Sequence, residues 1–92
     1  CMNDTHGRDQ VTHAELALAK DGAFLGLRVS YLGNVGAYVS QYGAYVQTTA
    51  GGGMYCGAYK IPAAHLTVKV VMTNTAPLDA YRGAGRPEAA YL

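Results

Sequence analysis

The chain has 92 residues, a formal net charge of +1 and 14% charged residues, while half of its residues are apolar. This length allows one small domain at most, and the scattered charges exclude a basic stripe for nucleic acid. No run approaches the ~20 apolar residues of a membrane helix, and no charged segment followed by an apolar core marks a signal peptide.

The low charge and the position of Met2 behind Cys1 predict that the chain is a piece of a larger protein, truncated at both ends. In small soluble domains, roughly a quarter of the residues are charged. We therefore expect the isolated chain to fold poorly, because its apolar strand faces lack partners. Cys1 and Cys56 have no metal-type spacing, and free thiols are favoured over a disulfide.

The first elements form a predicted β-hairpin. Polar and apolar residues alternate along Thr12–Leu18 and again along Phe24–Tyr31. Between them, Asp21 and Gly22 form a strong turn signal. We expect the second strand to continue to Tyr38, with glycines that allow a bend or bulge.

The middle of the chain is rich in glycine, alanine and tyrosine. Residues Ser40–Ala58 predict a loop or a short helix that lies over other parts of the protein, and the tyrosines at 38, 42 and 45 have helical spacing. Leu66–Met72 alternates again and predicts a third strand. These elements, followed by a loop and a helix start, indicate an α+β fold.

The stretch DAYRGAGRPEAAYL at residues 79–92 combines a glycine loop with a helix start at Pro87. Gly83 and Gly85 would allow close backbone approach to a ligand, and Arg82 and Arg86 would add charged donors. Such a loop favours an anion. The alternative is a tight turn with two solvated or ion-paired arginines, since GAG lacks the spacing of dinucleotide and phosphate loops.

The histidines do not indicate a metal site. His6, His13 and His65 have no ligand spacing, and structural hydrogen bonding is the favoured role. No protein metal ligand is predicted.

A family resemblance covers nearly the whole chain. TNTAPLDAYRGAGRPEAAYL resembles the active-site loop of the large subunit of aerobic carbon monoxide dehydrogenase-like proteins, in their second form (form II, AYRGAGR). These belong to the xanthine dehydrogenase and aldehyde oxidase family of molybdenum hydroxylases. DTHGRDQVTHAELAL, DGAFLGLRV, NVGAYVS and YKIP also resemble that subunit, in order.

The resemblance implies that the chain is part of a molybdopterin-binding domain. It implies a molybdenum cofactor, usually the cytosine dinucleotide form in bacteria, and partner subunits that carry iron–sulfur clusters and FAD. The implied reaction is hydroxylation of a small-molecule substrate by metal-hydroxide attack and hydride transfer to molybdenum. The implied location is cytoplasmic, without nucleic acid or membrane partners.

The resemblance also assigns residues. Arg82 and Gly83 match positions at the molybdenum end of the cofactor, and Ala84 and Gly85 match the substrate pocket. The glutamate that acts as general base lies beyond Leu92 in the family, so no catalytic residue is expected in this chain. Glu15 is expected to be solvent-facing or paired. Glu88 is expected to help cap the last helix, and a bond from Glu88 that supports the loop is the alternative.

Departures from the family narrow the substrate. Carbon monoxide oxidisers carry AYRCSFR, whose cysteine binds copper; this chain has Gly83 there, which argues against carbon monoxide. Purine oxidisers have a stacking phenylalanine where Ala84 stands and an arginine where Ala50 stands. The expected substrate is therefore an aldehyde or an N-heterocycle. Three alternatives stay open: a true carbon monoxide dehydrogenase, a non-catalytic module that keeps the fold, and a generic β-rich anion-binding domain.

Overall fold

The computed structural model describes residues 4–92, and in this part of the chain three strands and two short helices form. The elements are β1 Gln10–Leu18, β2 Phe24–Gly36, α1 Gly43–Thr48, β3 Ala64–Met72 and α2 Arg86–Ala90. This order confirms the predicted α+β fold, the hairpin, the third strand and the helix start near Pro87.

The sheet has the order β1-β2-β3, with β2 in the centre. β1 and β2 are antiparallel and place Ala14 opposite Val29, while β3 runs parallel to β2 and places Leu66 beside Val29. The apolar positions of all three strands therefore share one face, as the alternation predicts. Val29 lies at the centre of this face and is 2% exposed.

The hairpin turn follows the Asp-Gly signal. Gly22 has a φ of 87°, and its N–H donates to the Ala19 carbonyl at 3.0 Å. The Asp21 carboxylate accepts the N–H of Ala23 at 3.1 Å. Glycine is favoured here because the left-handed region costs an L-residue about 1–2 kcal/mol.

The connection between the two parallel strands covers the apolar face of the sheet. It contains α1, whose Val46 and Gln47 are buried, and the Tyr31 hydroxyl donates to the Gln47 side-chain oxygen. Farther along, the Tyr59 ring packs edge-on against Phe24, with centroids 5.5 Å apart. Of the two structures expected for this glycine-rich segment, a loop or a short helix, the helix is present at Gly43–Thr48 and contributes to the core.

The prediction that β2 continues to Tyr38 is wrong, because the strand ends at Gly36. Gly36 has a φ of 80°, and a side chain there would collide with the backbone of Ala76 and Pro77. The chain therefore turns at Gly36 so that the segment after β3 can pass close beneath it.

A buried amide joins the three segments at this end of the sheet. The Asn34 side chain donates to Asp9 Oδ2 at 2.8 Å and to Thr75 Oγ1 at 3.0 Å. Its oxygen accepts the Gly36 N–H at 2.7 Å and the Thr73 hydroxyl at 2.9 Å. All four hydrogen bonds of one amide are satisfied, so Asn34 ties the entry to β1 and the exit from β3 to the end of β2.

Many large apolar side chains remain exposed on the sheet. Val11 is 68% exposed and Leu32 is 42% exposed on the face opposite Val29, and Met72 at the end of β3 is 62% exposed. Neither helix in residues 4–92 is long and apolar enough to cross a membrane.

We expect Asn34→Ala to loosen the end of the sheet in the protein that contains this chain. The substitution leaves the buried N–H of Gly36 without its acceptor and the side chains of Asp9, Thr73 and Thr75 without their shared partner. Loss of a buried hydrogen-bond partner costs about 1–3 kcal/mol. Amide hydrogen exchange over residues 30–36 and 73–78 should become roughly tenfold faster or more. Asn74→Ala, in the exposed turn after β3, is the matched control; equal exchange in both variants would contradict the role of Asn34.

Candidate functional site

The glycine loop has an unusual backbone. Gly83, Ala84 and Gly85 all have positive φ, at 90°, 44° and 87°. Ala84 is the one non-glycine residue with positive φ in the described part of the chain. Turns in which backbone N–H groups converge can form concave anion-binding sites. A non-glycine residue with positive φ, such as Ala84, is strained backbone of the kind that clusters at functional sites.

Hydrogen bonds within the loop use some of its donors and leave others. The Ala84 N–H donates to the Tyr81 carbonyl at 2.8 Å, and the Arg86 N–H donates to the Gly83 carbonyl at 3.3 Å. Within residues 4–92, the backbone N–H groups of Arg82, Gly83 and Gly85 have no protein acceptor. The loop therefore retains donors for a ligand.

The two arginines of the loop have different surroundings. Arg86 Nη1 donates back to the Gly83 carbonyl at 3.3 Å, so this side chain supports the loop. Arg82 is exposed, and its guanidinium has no carboxylate partner among the described residues. Of the two, Arg82 is the one whose charge is available to an anion.

The far side of the loop packs against the end of α1. Gly85 is buried, and a Cβ there would lie 3.0 Å from the Val46 carbonyl and 3.1 Å from Ala50 Cβ. Ala84 is half-buried, whereas Arg82 and Gly83 are exposed. The four predicted site residues thus divide into an open edge at 82–83 and a packed edge at 84–85.

Arg8, which the sequence did not single out, joins the loop to α2. Its Nη2 donates to the Arg82 carbonyl at 2.9 Å, and its Nε lies 2.6 Å from Glu88 Oε1. Its guanidinium carbon also stands 5.0 Å from the centre of the Tyr81 ring. An isolated arginine ahead of a strand carries no sequence signal for such a role.

Glu88 does not cap α2, contrary to the prediction. The N-cap residue of this helix is Gly85, and no side chain bonds the helix start. Glu88 instead pairs with Arg8, and its side chain is 11% exposed. Its second oxygen, Oε2, is buried without a hydrogen-bond partner in residues 4–92.

Two tyrosines near Glu88 are held in the neutral form. Burial raises the pKa of Tyr55, and the Glu88 carboxylate adds to the effect. Burial also raises the pKa of Tyr31, with further contributions from Tyr55 and Glu88. A nearby negative charge disfavours the phenolate, which adds to the preference for the neutral form that a tyrosine already has at physiological pH.

The remaining candidate residues lie away from the loop. Glu15 is exposed on β1, where its Oε2 lies 3.2 Å from Arg28 Nη1 and its Oε1 lies 3.9 Å from His13 Nε2. This agrees with the expectation that Glu15 is solvent-facing or paired. No group of three or more His, Cys, Asp or Glu side chains in residues 4–92 could hold a metal ion. Cys56 is a free thiol, and Cys1 lies outside the described residues.

Comparisons with known proteins agree on one family, and the matches cover most or all of the chain. A family model described as the molybdopterin cofactor-binding domain matches residues 1–92. The chain is 37% identical over 87 residues to the 6-hydroxypseudooxynicotine dehydrogenase complex subunit gamma of Paenarthrobacter nicotinovorans, covering 95% of this chain and 11% of that protein.

Two further relatives show similar agreement. The nicotinate dehydrogenase large molybdopterin subunit of Eubacterium barkeri is 37% identical over 78 residues, which are 84% of this chain and 18% of that protein. The carbon monoxide dehydrogenase large chain of Hydrogenophaga pseudoflava is 43% identical over 88 residues, which are 92% of this chain and 11% of that protein. The chain thus spans less than a fifth of the length of these relatives.

A solved structure shares the arrangement of elements. The crystal structure of quinoline 2-oxidoreductase from Pseudomonas putida 86 superposes with a TM-score of 0.78 at 34% identity, over 91% of this chain and 11% of that one. The α+β arrangement described above is therefore that of a piece of a larger solved protein.

We expect Gly85→Ala to loosen the loop more than Gly22→Ala does. Both glycines have a φ of 87°, but a Cβ at Gly22 would meet nothing within 4 Å, whereas at Gly85 it would crowd α1. The backbone cost of about 1–2 kcal/mol is therefore common to both variants, and crowding is added only at Gly85. Amide exchange over residues 43–52 and 83–90 should rise in Gly85→Ala alone; unchanged exchange there would contradict the packing of the loop on α1.

Proposed function

We propose that this chain, which belongs to the molybdopterin cofactor-binding domain family, forms part of the cofactor-binding catalytic subunit of a molybdenum hydroxylase. The observation that carries the proposal is the loop at residues 82–85, with its left-handed backbone and unpaired donors. The dehydrogenase and oxidoreductase names of the relatives support the reaction class.

The donor set of the loop fits an anionic cofactor. The Gly83 and Gly85 N–H groups lack protein acceptors in the described chain, and the Arg82 guanidinium is exposed and unpaired there. Backbone donors beside a positive side chain suit an anionic pterin cofactor. When bound, the molybdenum cofactor supplies the two-electron oxidation of the substrate; Arg82 and Gly83 would hold its metal end.

One loop supplies only part of such a site. We propose that other segments of a longer subunit hold the rest of the cofactor, in its cytosine dinucleotide form, and supply the general-base glutamate. Iron–sulfur clusters and FAD would lie on partner subunits of a cytoplasmic complex. The relatives named as a complex subunit and as a large chain support a multi-subunit assembly.

The exposed apolar strands also support a larger assembly. Contiguous apolar surface of this kind normally packs against other protein, and both faces of the sheet carry it. We therefore propose that residues 1–92 are one part of a molybdopterin-binding domain.

The substrate that the residues support best is an N-heterocycle or an aldehyde. Nicotinate and quinoline, named for two relatives, are N-heterocycles. Ala84 offers no ring to stack on a purine, and Gly83 offers no thiolate for copper, the soft ligand that copper requires. We propose on the AYRGAGR sequence that the chain belongs to the second form of the carbon monoxide dehydrogenase-like proteins.

Carbon monoxide is the second candidate substrate. The observation in its favour is the 43% identity to a carbon monoxide dehydrogenase large chain. Two further alternatives, a non-catalytic module and a generic anion-binding domain, would show no molybdenum in the purified protein.

We expect the full-length protein to contain molybdenum without stoichiometric copper. It should reduce a dye faster with an N-heterocycle or an aldehyde than with carbon monoxide or xanthine. Metal content by mass spectrometry and dye reduction on each substrate provide the test. Copper equal to molybdenum, with carbon monoxide as the best substrate, would establish the second candidate instead.

We expect Arg82→Ala to reduce the molybdenum content or the turnover of the full-length protein by about tenfold, since a charge-assisted contact is lost. Arg28→Ala is the matched control, because Arg28 is also exposed but lies on β2 and pairs with Glu15. Equal metal content and equal turnover in both variants would remove Arg82 from the site.

A further inference from the structure

We infer that Arg8 is a positioning residue that sets the direction of the Gly83 backbone N–H, and thereby completes the donor set of the loop. The inference rests on the proposed function, because it concerns how the loop is prepared for its anionic ligand. We call the contacts of Arg8 with the Arg82 carbonyl and with Glu88 the Arg8 clamp.

In the Arg8 clamp, one guanidinium group contacts two partners through different nitrogen atoms. Nη2 holds the Arg82 carbonyl at 2.9 Å, and Nε is paired with Glu88 Oε1 at 2.6 Å. The Tyr81 ring lies beside the guanidinium, and a Cβ at Gly7 would stand 2.9 Å from Tyr81 Cβ. The segment before β1 can approach Tyr81 this closely because residue 7 is a glycine.

The carbonyl of Arg82 and the N–H of Gly83 belong to the same peptide unit. No cis peptide bond occurs in the described chain, and in a trans peptide these two groups point in opposite directions. A donor that fixes the carbonyl therefore also fixes the N–H on the other side of the peptide plane. The Gly83 N–H has no protein acceptor in residues 4–92, so it is free to donate to a ligand.

Without the clamp, this peptide has little to prevent it from turning over. Gly83 is exposed and has no Cβ, and glycine populates positive and negative φ about equally. A reversed peptide would present the Arg82 carbonyl where the N–H now lies, and a carbonyl repels an anion. The clamp thus selects the donor orientation of an otherwise adaptable loop.

Glu88 orients the guanidinium of Arg8 and neutralises its charge. The carboxylate is largely buried, whereas the Arg8 side chain is 37% exposed, so the arginine is held by a partner with few alternative positions. The pair is neutral as a unit. Arg82 therefore remains the residue whose positive charge is available to the ligand.

The test compares variants of the full-length protein for molybdenum content. In Arg8→Gln/Glu88→Gln, both members of the pair are replaced, so no buried carboxylate is left unpaired. In Arg8→Lys, a single ammonium replaces the fork that bonds two groups. Arg28→Gln/Glu15→Gln is the matched control, since that exposed pair has the same residue types at 3.2 Å.

We expect the Arg8/Glu88 double variant to hold about tenfold less molybdenum than the wild type, and Arg8→Lys to lose several-fold. The control variant should match the wild type. When the molybdenum that remains bound is partly reduced to paramagnetic Mo(V) with dithionite, its electron paramagnetic resonance g-values should shift. Amide exchange of β2 and α1 in the metal-free protein should not change, because the role is local to the loop.

Two results would overturn the inference. One is wild-type molybdenum content with unchanged g-values in both Arg8 variants. The other is a loss of molybdenum together with faster exchange throughout β2 and α1, which assigns Arg8 to the fold alone. A wild-type protein without molybdenum would instead overturn the proposed function, so the two failures are distinguishable.

Discussion

The buried amide of Asn34 is the interaction on which the arrangement of the chain depends. Asn34 is 7% exposed and bonds Asp9, Gly36, Thr73 and Thr75. These residues come from the entry to β1, the end of β2 and the exit from β3. Because a partly satisfied buried amide is costly, the amide favours the arrangement in which all three segments meet. The direction in which the chain leaves β3 follows from this junction.

The segment after β3 connects this junction to the glycine loop and is itself anchored to the sheet. Leu78 is 2% exposed, and its N–H donates to the Val35 carbonyl at 3.3 Å. His6 adds a second anchor, since its carbonyl accepts the Asp79 N–H at 3.0 Å. The loop that begins at Tyr81 therefore starts from a fixed point. Arg8, two residues after His6, reaches the loop from the same strand-like segment.

The fold was largely predictable from the sequence because its signals are local. Alternation along the strands and the Asp21-Gly22 turn depend on neighbouring residues, and both are confirmed. The end of β2 was not predictable, since Gly36 ends the strand through the approach of Ala76 and Pro77, forty residues away. The same limit applies to Glu88. Its place in the first turn of α2 suggested a cap, but its partner Arg8 lies eighty positions earlier.

The candidate site, like the fold, could be predicted from the sequence only in part. The glycines of the loop predicted a backbone that a ligand can approach closely, and Gly83 and Gly85 have positive φ. The positive φ of Ala84 has no sequence signal. Ala84 is held by its N–H bond to the Tyr81 carbonyl and by the packing of Gly85 on α1. The cost of this conformation, about 1–2 kcal/mol, is offset by contacts that only the folded chain brings together.

Gly83 has a further consequence for the chemistry that the loop can support. A Cβ at this position would lie 2.5 Å from Pro87 Cγ, so a side chain requires the loop or the start of α2 to move. The glycine therefore has two effects. It allows this loop conformation, and it leaves residue 83 without a thiolate. In this conformation residue 83 is exposed, and its N–H has no protein acceptor in residues 4–92. In the proposed cofactor site, residue 83 would therefore contribute through its backbone and would not supply a side-chain metal ligand.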